Sequence, residues 1–127
     1  MTKKILLIDD ERKFCDMLKR ALERRLGYEV SVAYSGEEGI EKAQGTAFDL
    51  VITDFRMPGM DGEAVITILK TTMPRLPVLL LSVYHDDETV VSPDLLSKAD
   101  GVVGKPIHHE KLYQTIESLL ARGGESR

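Results

Sequence analysis

The sequence predicts an α/β domain: one parallel five-stranded sheet, doubly wound, with helices on both faces. Two observations predict it. Short apolar runs recur at Ile5–Ile8, Val30–Ala33, Leu50–Thr53, Val78–Leu81 and Gly101–Val103. Stretches with apolar residues three and four apart lie between them, and such βαβα alternation implies parallel strands joined by crossover helices. The chain has 127 residues, about the size of one domain. At 43% hydrophobic and 30% charged, it carries enough apolar material for a packed core and is neither disordered nor fibrous.

Each element has its own signal. Three of the strand runs are nearly all apolar, as strands covered on both faces are. In the second, Val30, Val32 and Tyr34 alternate with Ser31 and Ala33, which suits a strand nearer an edge. Phe14, Leu18, Ala21, Leu22 and Leu26 mark the first helix, with Gly27 as its C-cap. Ser35 to Glu38 reads as a capping box opening the second. Val65, Ile68 and Leu69 mark the third, which ends before Pro74. Leu112, Ile116, Leu119 and Leu120 mark the last, starting near Pro106. The fourth is interrupted by Pro93. With Ser92 as N-cap and Pro93 at the first helical position, a short helix from about Pro93 to Lys98 is expected. Residues 1–122 read as the domain and 123–127 as a tail or the start of a linker.

Composition narrows function. The chain holds 17 Lys and Arg against 21 Asp and Glu, a net charge of −4, which argues against nucleic-acid binding by this chain. Cys15 is the single cysteine, so no intramolecular disulfide is available. The basic start leads into only four apolar residues before Asp9 and Asp10, which is not a signal peptide, and no run approaches a membrane span. A cytoplasmic location without membrane association is the expectation.

In doubly wound folds ligands bind beyond the C-terminal ends of the strands. There the chain places Asp9 and Asp10, Asp54, Ser82, and Lys105 with Pro106. Three carboxylates at one sheet edge repel one another and raise their own pKa values. A hard divalent cation removes the conflict, and Mg²⁺ needs only one or two carboxylates, a carbonyl and waters. An aspartate beside such a cation can accept a phosphoryl group, because the metal screens the charge that repels it. Lys105 supplies positive charge for phosphoryl oxygens and Ser82 a hydrogen-bond donor.

Asp9-Asp10, the segment Asp54-Phe-Arg-Met-Pro-Gly-Met-Asp-Gly62, Ser82 and Lys105-Pro106 occur in order at successive strand ends. In this the chain resembles the receiver domain of bacterial response regulators, over residues 3 to about 121. The resemblance implies a flavodoxin-like (βα)5 receiver fold with strand order 2-1-3-4-5. It implies that Asp54 takes a phosphoryl group from a phosphohistidine of a sensor histidine kinase or histidine phosphotransfer protein. Asp10, Asp54 and the backbone carbonyl of Arg56 would hold Mg²⁺ directly, and Asp9 mainly through water. Lys105 would contact a phosphoryl oxygen, Ser82 would report the modified state, and the Lys105–Pro106 bond would be cis. Such a domain is not an enzyme with an outside substrate; it catalyses only its own phosphorylation and dephosphorylation. Output, or a homodimer, would use the face made by the fourth helix, fifth strand and fifth helix. The first 25 residues hold eight Lys or Arg against five Asp or Glu, which reads first as a solvated face and second as a kinase-docking surface.

The chain departs from the family pattern at three places. Val102 stands where an aromatic switch residue is usual, unless Tyr84 takes that role. Val83 follows the hydroxyl position, where a small residue is common. The fourth helix is shortened around Ser92 and Pro93. Two other readings stand beside the phospho-acceptor. One is a pseudo-receiver or protein-binding module with little phosphorylation. The other is an aspartate-nucleophile phosphatase, for which the usual Asp-x-Asp spacing and a cap insertion are missing.

Overall fold

The computed structural model describes residues 2–83 and 93–125, the side chains of Val83, Leu96 and 123–125 aside. Tyr84 and Ser92 lie outside the described residues, so the roles expected of them do too. Among the described residues ten elements alternate: β1 (Lys4–Ile8), α1 (Arg12–Leu26), β2 (Glu29–Ala33), α2 (Gly36–Gly45), β3 (Leu50–Asp54), α3 (Gly62–Thr72), β4 (Val78–Val83), α4 (Pro93–Lys98), β5 (Gly101–Lys105) and α5 (His109–Glu125). The strands are all parallel, in the order β2-β1-β3-β4-β5. The order reverses at β1, which lies between β2 and β3, so their C-terminal ends flank the switch point where ligands of such sheets bind. β2, with its alternating sequence, is an edge strand as its pattern implies.

Side chains alternate across a strand, and the alternation divides the core in two. Ile5, Leu7, Ile52, Leu79, Leu81 and Val103 pack with Leu18, Leu22, Leu112 and Ile116 under α1 and α5. Leu6, Ile8, Val51, Val78 and Leu80 pack with Val65, Ile66, Leu69 and Leu95 under α3 and α4. Each fully buried Leu or Ile side chain contributes about 1.5–3 kcal/mol.

The helix ends follow local chemistry. Gly27 ends α1 at a φ of 72°, and its N–H donates to the Glu23 carbonyl at 3.1 Å. Ser35 caps α2, its Oγ accepting from the Glu38 N–H at 3.1 Å. The returning half of that box differs from the expected form, because Glu38 Oε1 accepts from the Tyr34 N–H at 2.6 Å, one residue earlier. α4 is the short helix expected, six residues long and opening on Pro93. α5 begins at His109, after a cis Lys105–Pro106 bond, and runs on through Gly123 and Gly124 to Glu125. Once its earlier turns are formed, propagation adds one bond per residue and carries the helix past residue 122.

At the end of the sheet away from the site, Lys70 Nζ pairs with Asp100 Oδ2 at 2.9 Å, and the same oxygen accepts from the Val78 N–H at 2.8 Å. This ties α3 to the starts of β4 and β5. At the site end, Asp61 caps α3 by accepting from the Ala64 N–H at 2.9 Å, and the Gly62 N–H donates to the Phe55 carbonyl at 2.8 Å.

Gly62 lets α3 start directly against the end of β3. A Cβ there would overlap the Asp54 carbonyl oxygen and come within 2.8 Å of the Phe55 Cα. Both obstacles are backbone. Alanine is the better helix former by about 1 kcal/mol. Gly62→Ala is nonetheless expected to destabilise the domain by about 1–3 kcal/mol, because overpacking decides the sign. Urea unfolding checks this; a midpoint equal to or above that of the unmodified chain would contradict the close approach.

Candidate functional site

Asp9, Asp54 and Lys105 come from β1, β3 and β5 or the residue just beyond, and share the parity of the core under α1 and α5. The Lys105 ammonium donates to Asp9 Oδ2 at 3.0 Å and pairs with Asp54 Oδ1 at 3.0 Å. Asp9 is fully buried and Asp54 is 6% exposed. Two buried carboxylates thus share one ammonium.

Asp9 is held on every polar atom. Its N–H donates to the Ala33 carbonyl at 3.0 Å, and its Oδ1 accepts from the Glu11 N–H at 3.0 Å. Its Oδ2 takes Lys105, and its carbonyl accepts from the Cys15 thiol at 3.3 Å. Burial first, then the Asp9 charge, pushes the Cys15 thiol up to about 12, so it stays a protonated donor. In sequence Cys15 stands out only as the single cysteine, and nothing there marks this contact.

Burial, reinforced by the Asp9 charge, pushes the Asp54 carboxyl up to about 6, against the lowering pull of Lys105. Burial acts to lower the Lys105 ammonium, but the hydrogen bond and charge of Asp54, with the charge of Asp9, leave it raised. Asp10 is exposed, and one carboxylate oxygen from each of Asp9, Asp10 and Asp54 lies within 4.8 Å of the others. Three oxygens that close, with the Lys105 ammonium paired to Asp9 and Asp54, suit a hard divalent cation.

Ser82 stands near the end of β4, paired in register with Gly104. It is fully buried, and its Oγ has no hydrogen-bond partner among the described residues. A buried hydroxyl without a partner forfeits about 1–3 kcal/mol, which a bound oxygen would return. Val102, at the usual aromatic position, is half-buried and packs with the core under α3 and α4. Arg56 is exposed in the loop after β3, lining a depression with Phe55, Met57, Pro58 and Asp61.

The structure adds two residues that the sequence pattern did not mark for the site. Thr53 is buried, and its hydroxyl donates to the Asp54 carbonyl at 3.0 Å. Within an apolar run, nothing separates it from a β-branched core residue. Phe14 holds its ring over Lys105, with Nζ 4.3 Å from the centroid. In sequence it is one more apolar position of α1.

Residues 5–117 match the family described as response regulator receiver domain. The chain belongs to that family. It is 38% identical over 117 residues to the transcriptional regulatory protein ZraR of Escherichia coli K12, covering 92% of this chain and 26% of that regulator. The chain thus spans about a quarter of that relative's length. Among solved structures it resembles the response regulator TrrA of Thermotoga maritima, in complex with Mg(2+)-BeF. The TM-score is 0.85 at 31% identity, covering 93% of this chain and 99% of that one. A receiver domain from Clostridium thermocellum is similar at a TM-score of 0.86 and 29% identity, covering 98% and 99%. Receiver domains are the phospho-accepting modules of two-component signal transduction, and that is the function class of this chain.

The pH response of Asp54 follows from its surroundings. Its carboxyl titrates at about 6 in the fold against an ordinary 3.8. The folded state therefore holds a proton that the unfolded chain releases earlier. The contribution of this group to stability is full below 3.8 and is lost as pH rises through about 6. In metal-free buffer, Asp54→Asn should gain stability relative to the unmodified chain as pH rises across that window, then level off. Urea midpoints of the two chains measured across it check this; a constant difference would refute it.

Proposed function

We propose that Asp54 accepts a phosphoryl group from a phosphohistidine of a sensor histidine kinase or histidine phosphotransfer protein, with Mg²⁺ as cofactor. The observation that carries this reading is a double deficit at one sheet edge. The clustered carboxylates of Asp9, Asp10 and Asp54 outnumber the Lys105 ammonium that pairs with two of them, and the buried Ser82 hydroxyl has no partner among the described residues. A cation and a phosphoryl oxygen supply what is lacking.

Asp9, Asp10 and Asp54 would hold Mg²⁺ together with the backbone carbonyl of Arg56, Asp9 mainly through water. TrrA, similar in fold and solved in complex with Mg(2+)-BeF, supports a place for Mg²⁺ here. When bound, Mg²⁺ screens the carboxylate charge that repels an incoming phosphoryl group.

Lys105 engages Asp54 Oδ1, which leaves the second carboxylate oxygen to attack phosphorus. The P–N bond to the imidazole breaks as the O–P bond forms, and the imidazole leaves. Lys105 then pairs with a phosphoryl oxygen and Ser82 donates to another. Thr53 and Gly62 position Asp54 through its backbone. The chain turns over only its own phosphoryl group. Output passes through the face formed by α4, β5 and α5, on which a homodimer can also form. The setting is cytoplasmic, and no helix among the described residues is long and apolar enough to cross a membrane.

Incubation with Mg²⁺ and a phosphodonor, followed by intact mass, tests the reading. One base-labile phosphoryl adduct is expected, absent in Asp54→Ala. Lys105→Met should slow its formation on the order of 10²-fold, the usual cost of one electrostatic contact to a transition state. Release of phosphate from a simple ester by Asp54→Ala would favour a phosphatase. No adduct on the unmodified chain, with a phosphohistidine donor included, would favour a pseudo-receiver.

A further inference from the structure

Phe14 is the one contact of the Lys105 ammonium, among those described, that carries no charge. The side chain is half-buried on α1 and packs against the core under α1 and α5. Its ring centroid lies 4.3 Å from Lys105 Nζ, while Asp9 Oδ2 and Asp54 Oδ1 each lie 3.0 Å from it. The lysine side chain is 13% exposed, so water competes little with the ring. A ring face attracts a cation through its quadrupole, most strongly where the cation is desolvated.

The ring differs from the carboxylates in what phosphorylation does to it. When Asp54 becomes an acyl phosphate, one carboxylate charge beside Lys105 is lost and phosphoryl charge arrives nearby. The ammonium must exchange Asp54 Oδ1 for a phosphoryl oxygen. The Phe14 face accepts no strong hydrogen bond and changes in neither state. It attracts the ammonium toward the site without competing for the N–H groups that the phosphoryl oxygen needs.

We infer that Phe14 is a positioning residue for phosphoryl transfer, its ring face holding the Lys105 ammonium in the site while the anionic partner changes. The inference rests on the phospho-acceptor reading of Asp54 and adds to it a residue outside the strand-end set.

Phe14 also fills core space, so the test separates charge from shape. Four chains are compared for the rate of labelling by a small phosphodonor with Mg²⁺, and for thermal unfolding: the unmodified chain, Phe14→Leu, Phe14→Tyr, and the chain with pentafluorophenylalanine at position 14. The fluorinated ring keeps its outline but loses its negative face. Phe14→Leu and the fluorinated chain should label about two- to tenfold more slowly, as expected for loss of a partly desolvated cation–π contact. Phe14→Tyr, which keeps the face, should label within about twofold of the unmodified rate. In a Lys105→Met background the fluorinated ring should have no further effect, because the partner through which it acts is gone. A fluorinated chain that labels at the unmodified rate would overturn the inference, as would a slowing that persists without Lys105. Failure of the unmodified chain to label at Asp54 would instead bring down the phospho-acceptor reading, and this inference with it.

Discussion

The ammonium of Lys105, bracketed by the buried carboxylates of Asp9 and Asp54, is the interaction on which the rest of this structure depends. Isolated charges at that depth would be expelled or neutralised. They persist because each is tied elsewhere. Asp9 is bonded on its backbone and both carboxylate oxygens, Asp54 is braced through its carbonyl by Thr53, and Lys105 lies under an aromatic face. The balance is still incomplete, with two carboxylates to one cation. Burial, with the Asp9 charge behind it, keeps the Asp54 carboxyl raised against the pull of that one cation.

Strand parity then decides which groups can meet. Asp9, Asp54 and Lys105 fall on the α1/α5 side of the sheet, each preceded on the same face by a core side chain: Leu7, Ile52 and Val103. Ser82 and Val102 fall on the opposite parity, with Leu80 and the core under α3 and α4. The proposed phosphoryl site therefore stands between the two layers. Charge chemistry is supplied from one side, and the Ser82 hydroxyl, without a partner among the described residues, borders the other, where the short α4 packs.

Much of this was legible in sequence because it is periodic or sits at a strand end. The five runs fixed the strands, the mixed pattern of Val30–Ala33 marked an edge, and Pro93 placed the start of α4. The strand-end rule brought Asp9, Asp10, Asp54 and Lys105 to one edge, where the structure has them. What stayed hidden has no local signature. Phe14 and Thr53 look like core residues, and nothing in the residue types alone separates a ring over a lysine, or a hydroxyl on a carbonyl, from ordinary packing. The thiol of Cys15 is likewise invisible until α1 is laid against β1. The shift of the Glu38 bond from Ser35 to Tyr34 depends on the chain's path out of β2, which residue types do not encode.

Cys15 carries one consequence for studying the molecule. It is the single cysteine of the chain, fully buried, and a protonated thiol at neutral pH. A thiol reagent can reach it only when α1 lifts away from the end of β1. The rate of its modification is therefore a built-in clock for the opening of α1, readable without any introduced label. Because that thiol touches the backbone of Asp9, the clock times the loosening of the very segment that carries the acidic pair.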